Sequence, residues 1–168
     1  MDKVLSDFQA ARKRFEIFER FYRSLSKNAK TQLRRRSSEY KRYLKEIRGL
    51  IRPGVEKTCS TCASHCCRLY SPELSINMAG TVGGFELKDY LLARCDRPLP
   101  EPRFENAAKN LCAFWSDGCV LPVDCRSLLC TGFFCNRLSK ELEMESVWKV
   151  LENIRGVVDR FSIAVCMT

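Results

Sequence analysis

Nine of the 11 cysteines fall into two groups whose spacing suits metal chemistry. The first group is Cys59, Cys62, Cys66 and Cys67; the second is Cys112, Cys119, Cys125, Cys130 and Cys135. Thiols a few residues apart let a short loop fold around one metal centre, and a distant second set closes the shell. The groups stand about forty-five residues apart, so a shared metal would tie the chain into a knot. Packing alone gives no reason for such clustering. Cys95 and Cys166 lie instead in apolar helical patterns and read as small buried hydrophobes.

A disulfide framework is the competing reading. The N-terminal residues Met1-Asp2-Lys3-Val4 lead into alternating charged and apolar residues, not a signal peptide. That pattern predicts a reducing, cytoplasmic setting, where clustered thiols serve metal or redox chemistry. The adjacent pair Cys66-Cys67 would also strain a disulfide framework, since each needs its own partner in a specific geometry. The only histidine, His65, precedes that pair and is expected to donate a hydrogen bond to the metal's sulfur atoms, with ligation as the alternative. Trp115, Phe133 and Phe134 are expected to shield the centre from water.

The pattern Cys59-x2-Cys62-x3-Cys66-Cys67 carries a resemblance when joined to Leu111-Cys112-Ala-Phe114-Trp-Ser-Asp-Gly118-Cys119 and Pro122-x2-Cys125-Arg126-x3-Cys130. Together these segments resemble the YkgJ-type cysteine-cluster family, described as zinc- or iron-chelating. The match spans roughly residues 59–135. Carried over residue by residue, it implies Cys59, Cys62, Cys66, Cys67, Cys112, Cys119, Cys125 and Cys130 as ligands. Cys135 lies outside that set, and Leu121-Pro122 stands where the family often has Arg-Pro. Thiolate shells serve both zinc and iron–sulfur clusters. Resemblance of the Cys-x3-Cys-Cys element to the flagellin lysine methylases, thought to hold an iron–sulfur cluster, favours iron–sulfur over Zn2+.

The elements that must position these thiols read as helices. No Gly or Pro occurs from Met1 to Arg48, and Val4, Phe8, Ala11, Phe15, Phe18, Tyr22, Leu25 and Ala29 trace an amphipathic stripe. Leu33, Tyr40, Tyr43, Leu44, Ile47 and Leu50 resume it, interrupted by Arg36, which hints at a local bend. The preferred reading is a hairpin turning near residues 24–30, because two stripes can then cover each other; one long helix also satisfies the pattern. Pro53-Gly54 is expected to end the segment. A short helix is expected from Phe85 to about Cys95, then an extended Pro-rich connector over 97–103. Ser139 is expected to cap a C-terminal helix carrying Leu142, Val147, Leu151, Ile154, Val158 and Phe161, with a weak point at Gly156.

The fold class expected is mostly α: a basic helical arm or hairpin over 1–57, a loop-rich cysteine metal knot over 58–138, and a helix over 139–168 packed on it. Residues 1–58 carry 17 Lys+Arg against 7 Asp+Glu, and residues 59–168 carry 12 against 13. The arm, with Arg34-Arg35-Arg36 at its basic peak, is a candidate contact for a protein partner or nucleic acid. A solvated helix face is the preferred reading of that charge. No stretch is long and apolar enough for a membrane. The function expected is a metal-binding protein with a redox, sensing or accessory role. Alternatives are a structural zinc domain with a binding arm, or a small cluster-dependent enzyme related to the methylases. No catalytic triad and no phosphate-loop or dinucleotide fingerprint supports other chemistry.

Overall fold

The computed structural model describes residues 2–59, 85–109, 111–116, 119–132, 134 and 136–161. Helix α1 spans Asp2–Ser24 and α2 spans Lys27–Cys59, so the chain reverses at Leu25-Ser26. Ser26 is the reason for the sharp restart. Its hydroxyl accepts the Ala29 amide at 3.1 Å, the cap that the exposed first amides of a helix need. The outgoing end of α1 is served too, as Lys30 Nζ donates to the Arg23 carbonyl at 3.4 Å.

The two stripes do not cover each other as the hairpin reading supposed. Beyond the turn the backbones of α1 and α2 hardly approach, and helix α3, Leu87–Arg94, is wedged between them. The cause lies in α3. Five successive residues, Asp89 to Ala93, are buried, so the helix has no solvent side and must be covered from several directions. From α1, Phe15 and Phe18 place their rings 5.9 and 5.1 Å from that of Tyr90. Glu19 accepts from Tyr90 Oη at 2.5 Å and Arg94 Nε at 2.8 Å, and Tyr22 Oη donates to the Cys95 carbonyl at 2.8 Å.

On the α2 side, the position interrupted by Arg36 is filled by its neighbour. Ser37 is fully buried and donates to the Leu92 carbonyl at 2.6 Å, while Arg36 is exposed and pairs with Glu39. The helical step from Leu33 to Tyr40 therefore runs through Ser37, and α2 is unbroken across Arg36. A small side chain there lets α3 come close enough to receive its hydroxyl.

Pro53-Gly54 does not end the helix. α2 runs through Pro53 to Cys59, with Pro53 exposed. Proline removes one amide donor from the ladder but leaves the helix to be held by its packing. Gly54 is buried under the 138–142 segment, where an added Cβ would lie 2.7 Å from Leu142 and 3.2 Å from Leu138. Gly54 thus provides close approach and no stop.

The C-terminal part begins with two short helices, α4 at Leu128–Gly132 and α5 at Asn136–Ser139. Helix α6 spans Met144–Arg160, so its N-cap is Glu143. Ser139 instead closes α5, its hydroxyl donating to the Asn136 carbonyl. Val147, Val150, Leu151, Ile154 and Val157 form the buried face of α6, set chiefly against α2, and Gly156 does not break it. One buried cluster joins α1, α2, α3, α6 and the Cys112–Cys125 loops. The protein is mostly helical, with no strand among the described residues and an isolated bridge between Trp115 and Cys119. No helix among them is long and apolar enough to cross a membrane.

Candidate metal centre

The second cysteine group is carried by loops and short turns, and its order comes from side chains that satisfy loop backbone. Asn106 Nδ2 donates to the carbonyls of Cys112 and Trp115, each at 2.9 Å. The Arg103 amide reaches the Ala113 carbonyl at 2.8 Å, tying the Pro-rich connector to this loop. Cys112 is buried, and the Phe114 amide points at its sulfur from 3.4 Å. Amide donors of this kind favour a thiolate over a thiol. Trp115 is half-buried and its backbone bridges to exposed Cys119.

Cys125 ends a 3₁₀ turn, Val123–Cys125, and is fully buried as a residue. Arg97 meets its sulfur through Nε at 3.4 Å and Nη2 at 3.3 Å, and the same Nη2 donates to Asp124 at 2.5 Å. The contact with Cys125 is the main reason Arg97 holds its proton more tightly than usual. Cys130 lies in α4, where the Ser127 hydroxyl accepts its amide at 3.1 Å and the Asp89 carboxylate accepts that of Leu128 at 3.0 Å. Cys130 is exposed by surface area, yet desolvation, then the nearby Cys119 sulfur and Asp89, push its thiol up.

Two buried groups link this region to the helical frame. Tyr40 of α2 donates to the Arg126 carbonyl at 3.0 Å. Burial raises its phenol well above the ordinary range, reinforced by Asp89, Cys130 and Cys125, so it remains a donor at any working pH. Asp89 is pushed up to about 7, chiefly by burial, with the amides it accepts opposing. Among the described residues its Oδ1 has no hydrogen-bond partner, and neither has Arg126 Nε. A half-satisfied buried carboxylate beside thiols is the kind of group that a bound cation would complete.

Of the expected ligands, Cys112, Cys119 and Cys125 lie on the loops that precede α4, and Cys130 lies in α4 itself. Cys59 is the last residue of α2, and nothing is described of its side chain. Cys62, His65, Cys66, Cys67, Phe133, Cys135 and Cys166 lie outside the described residues. Among the described residues no three Cys, His, Asp or Glu side chains gather closely enough to hold a metal ion. The donor chemistry suits a thiophilic metal, and a complete shell would draw on thiols outside the described residues. Cys95 is buried in the core, its thiol raised to about 11, chiefly by desolvation, which suits a packing role. Phe134 packs edge-on against Trp148 of α6.

Sequence reasoning missed Asp89, Tyr40, Asn106 and Arg97. Asp89 had a signal: it is the one carboxylate inside the apolar run from Leu87 to Leu92. The other three act on backbone or sulfur far away in the chain and leave no local pattern. Compared with known proteins, the chain matches no family model, no curated protein and no solved structure.

Proposed function

We propose that this protein binds a metal centre through its two cysteine groups, an iron–sulfur cluster in preference to zinc, and serves a redox, sensing or accessory role in a reducing compartment. The observation that carries the proposal is the placement of Cys112, Cys119, Cys125 and Cys130 on neighbouring loops and the short helix α4, with donors turned toward two of them. Thiolates that accept such hydrogen bonds are stabilised in the form that ligates metal. The ligands proposed are Cys59, Cys62, Cys66, Cys67, Cys112, Cys119, Cys125 and Cys130, as the YkgJ-type resemblance implies, with Cys135 as a further thiol. When bound, the group would supply either electron transfer or a structural cross-link.

Anaerobic purification with quantitative iron, sulfide and zinc analysis tests this. A brown protein with a broad band at roughly 400 nm and matching iron and sulfide is expected. Cys66→Ser and Cys67→Ser should each lower metal content, whereas Cys95→Ser should not. Protein that retains neither iron nor zinc would remove the reading. A colourless protein with stoichiometric zinc would favour the second reading, a structural zinc domain whose basic helices bind an acidic partner. Arg34, Arg35 and Arg36 are all exposed on α2, which is the observation favouring it.

A further inference from the structure

Beside the cysteine loops, on the other side of Arg97, lies an open groove of about 530 Å³ between α2 and the loops that follow α3 and precede α4. Every residue lining it is polar or charged: Lys41, Arg42 and Lys45 from α2, Asp96 and Arg97 after α3, and Asp124, with one serine. Four cations face two carboxylates. Asp96 is committed to Lys41 at 2.8 Å, and Asp124 accepts from Arg97 at 2.5 Å with Lys45 at 3.6 Å. Arg42 has no carboxylate partner among the described residues. Its guanidinium lies over the Tyr43 ring, 4.3 Å from the centroid, which leaves its in-plane donors available to a ligand.

The floor of the groove is also fixed. The Lys41 side chain is only 10% exposed, so its ammonium is held in place with less screening than a surface lysine would have. Arg97 is braced by both Asp124 and the sulfur of Cys125. A solvated network of surface ion pairs would balance its charges. This one carries an excess of two positive charges in a concavity large enough for a small ligand.

We propose that this groove binds a small multivalent oxyanion of the phosphate class, with a diphosphate group spanning Arg42 and Lys45 above Lys41. The ligand would take the two cations that the carboxylates leave under-neutralised, through charge-assisted hydrogen bonds. The same phosphate chemistry is present in a nucleic-acid backbone, so the test separates the two sources. The proposal is independent of whether the cysteines hold metal.

The purified full chain is titrated calorimetrically with inorganic pyrophosphate at about 0.15 M salt, near physiological screening, and separately with a short single-stranded oligonucleotide. Saturable pyrophosphate binding is expected, weakened at least about tenfold, the equivalent of about 1.4 kcal/mol, by Arg42→Ala combined with Lys45→Ala. Both residues are exposed, so the fold should survive, and circular dichroism checks this. The control, Arg35→Ala with Arg52→Ala, removes the same charge from exposed α2 positions outside the groove and should stay within about twofold. Three results would overturn the proposal. They are absence of saturable pyrophosphate binding, equal losses in groove and control variants, and oligonucleotide binding without pyrophosphate binding.

Discussion

The helical frame and the cysteine loops of this protein are held by different forces. In the frame, Leu33, Leu44, Ile47, Leu91, Leu92, Leu151 and Ile154 are all almost fully buried, and helix faces meet along their length. Each such side chain contributes about 1.5–3 kcal/mol through burial, so the frame can stand on packing alone. The loops from Phe104 to Cys130 have few such residues. They rely on single polar contacts from Asn106, Tyr40, Asp89 and Ser127 to satisfy backbone that no ladder reaches. Net hydrogen bonds contribute only about 1 kcal/mol each. A region built this way is where an additional cross-link would add most order, and it is where the proposed metal would act.

The most severe way to break the comparison is to strip the metal proposed for the cysteine groups. Hydrogen exchange before and after chelation should show amides of 111–130 losing most of their protection, while those of α2 around Leu44 retain theirs. The expected difference is large, because thiolate-bound structural zinc, one measured case, contributes on the order of 10 kcal/mol to its fold. Equal loss in both regions would mean the frame also depends on the metal.

Asp89 offers a second, smaller test, because it joins the two regions. An acid raised in the folded state binds its proton more tightly there than when unfolded. Its contribution to stability is therefore fully present below the ordinary value of 3.8 and is lost as pH rises through about 7. Asp89→Asn lacks this dependence. Denaturant unfolding of the two proteins between pH 4 and pH 7.5 should show the wild type losing up to about 4 kcal/mol relative to the variant. The difference cancels the thiol titration that both share. Parallel curves would mean Asp89 is charged in the folded protein and neutralised by a cation.

The smallest expected effect comes from Tyr40→Phe, which keeps the ring in the core and deletes the donor to the Arg126 carbonyl. A loss of about 1 kcal/mol is expected, accompanied by faster exchange of the amides at 127–131. Slower exchange there, or loss confined to α2, would show that this bond does not anchor the loop.

The same division explains what could be read beforehand. Helices α1, α2, α3 and α6 follow from apolar periodicity, since the period reports directly on burial. The register at Ser37 was hidden because a buried serine carries no hydrophobic signal and Arg36 beside it invited a bend. Pro53-Gly54 misled for a similar reason: the local rule for stopping a helix yields to a tertiary need, the seat for Leu142 and Leu138 at Gly54. The wedging of α3 was latent in its four successive apolar residues, Tyr90 to Ala93, although which helices it separates depends on contacts distant in sequence. The thiols announced themselves by spacing, whereas their supporting polar groups form only once the chain has folded.

Helix α2 has a mechanical consequence. Its 33 residues, uninterrupted from Lys27 to Cys59, make a rod about 50 Å long at 1.5 Å per residue. One end abuts the hairpin turn and the other delivers the first cysteine of the leading group. A tilt of about 5° at the turn would sweep that cysteine through about 4 Å, more than the length of a metal–sulfur bond. The packing of α3 and α6 against the middle of the rod therefore sets the tolerance to which the leading cysteines can be aimed. Enlarging Ser37, at the point where α3 presses on α2, would shift the aim of the rod from its fulcrum without altering any of the proposed ligands.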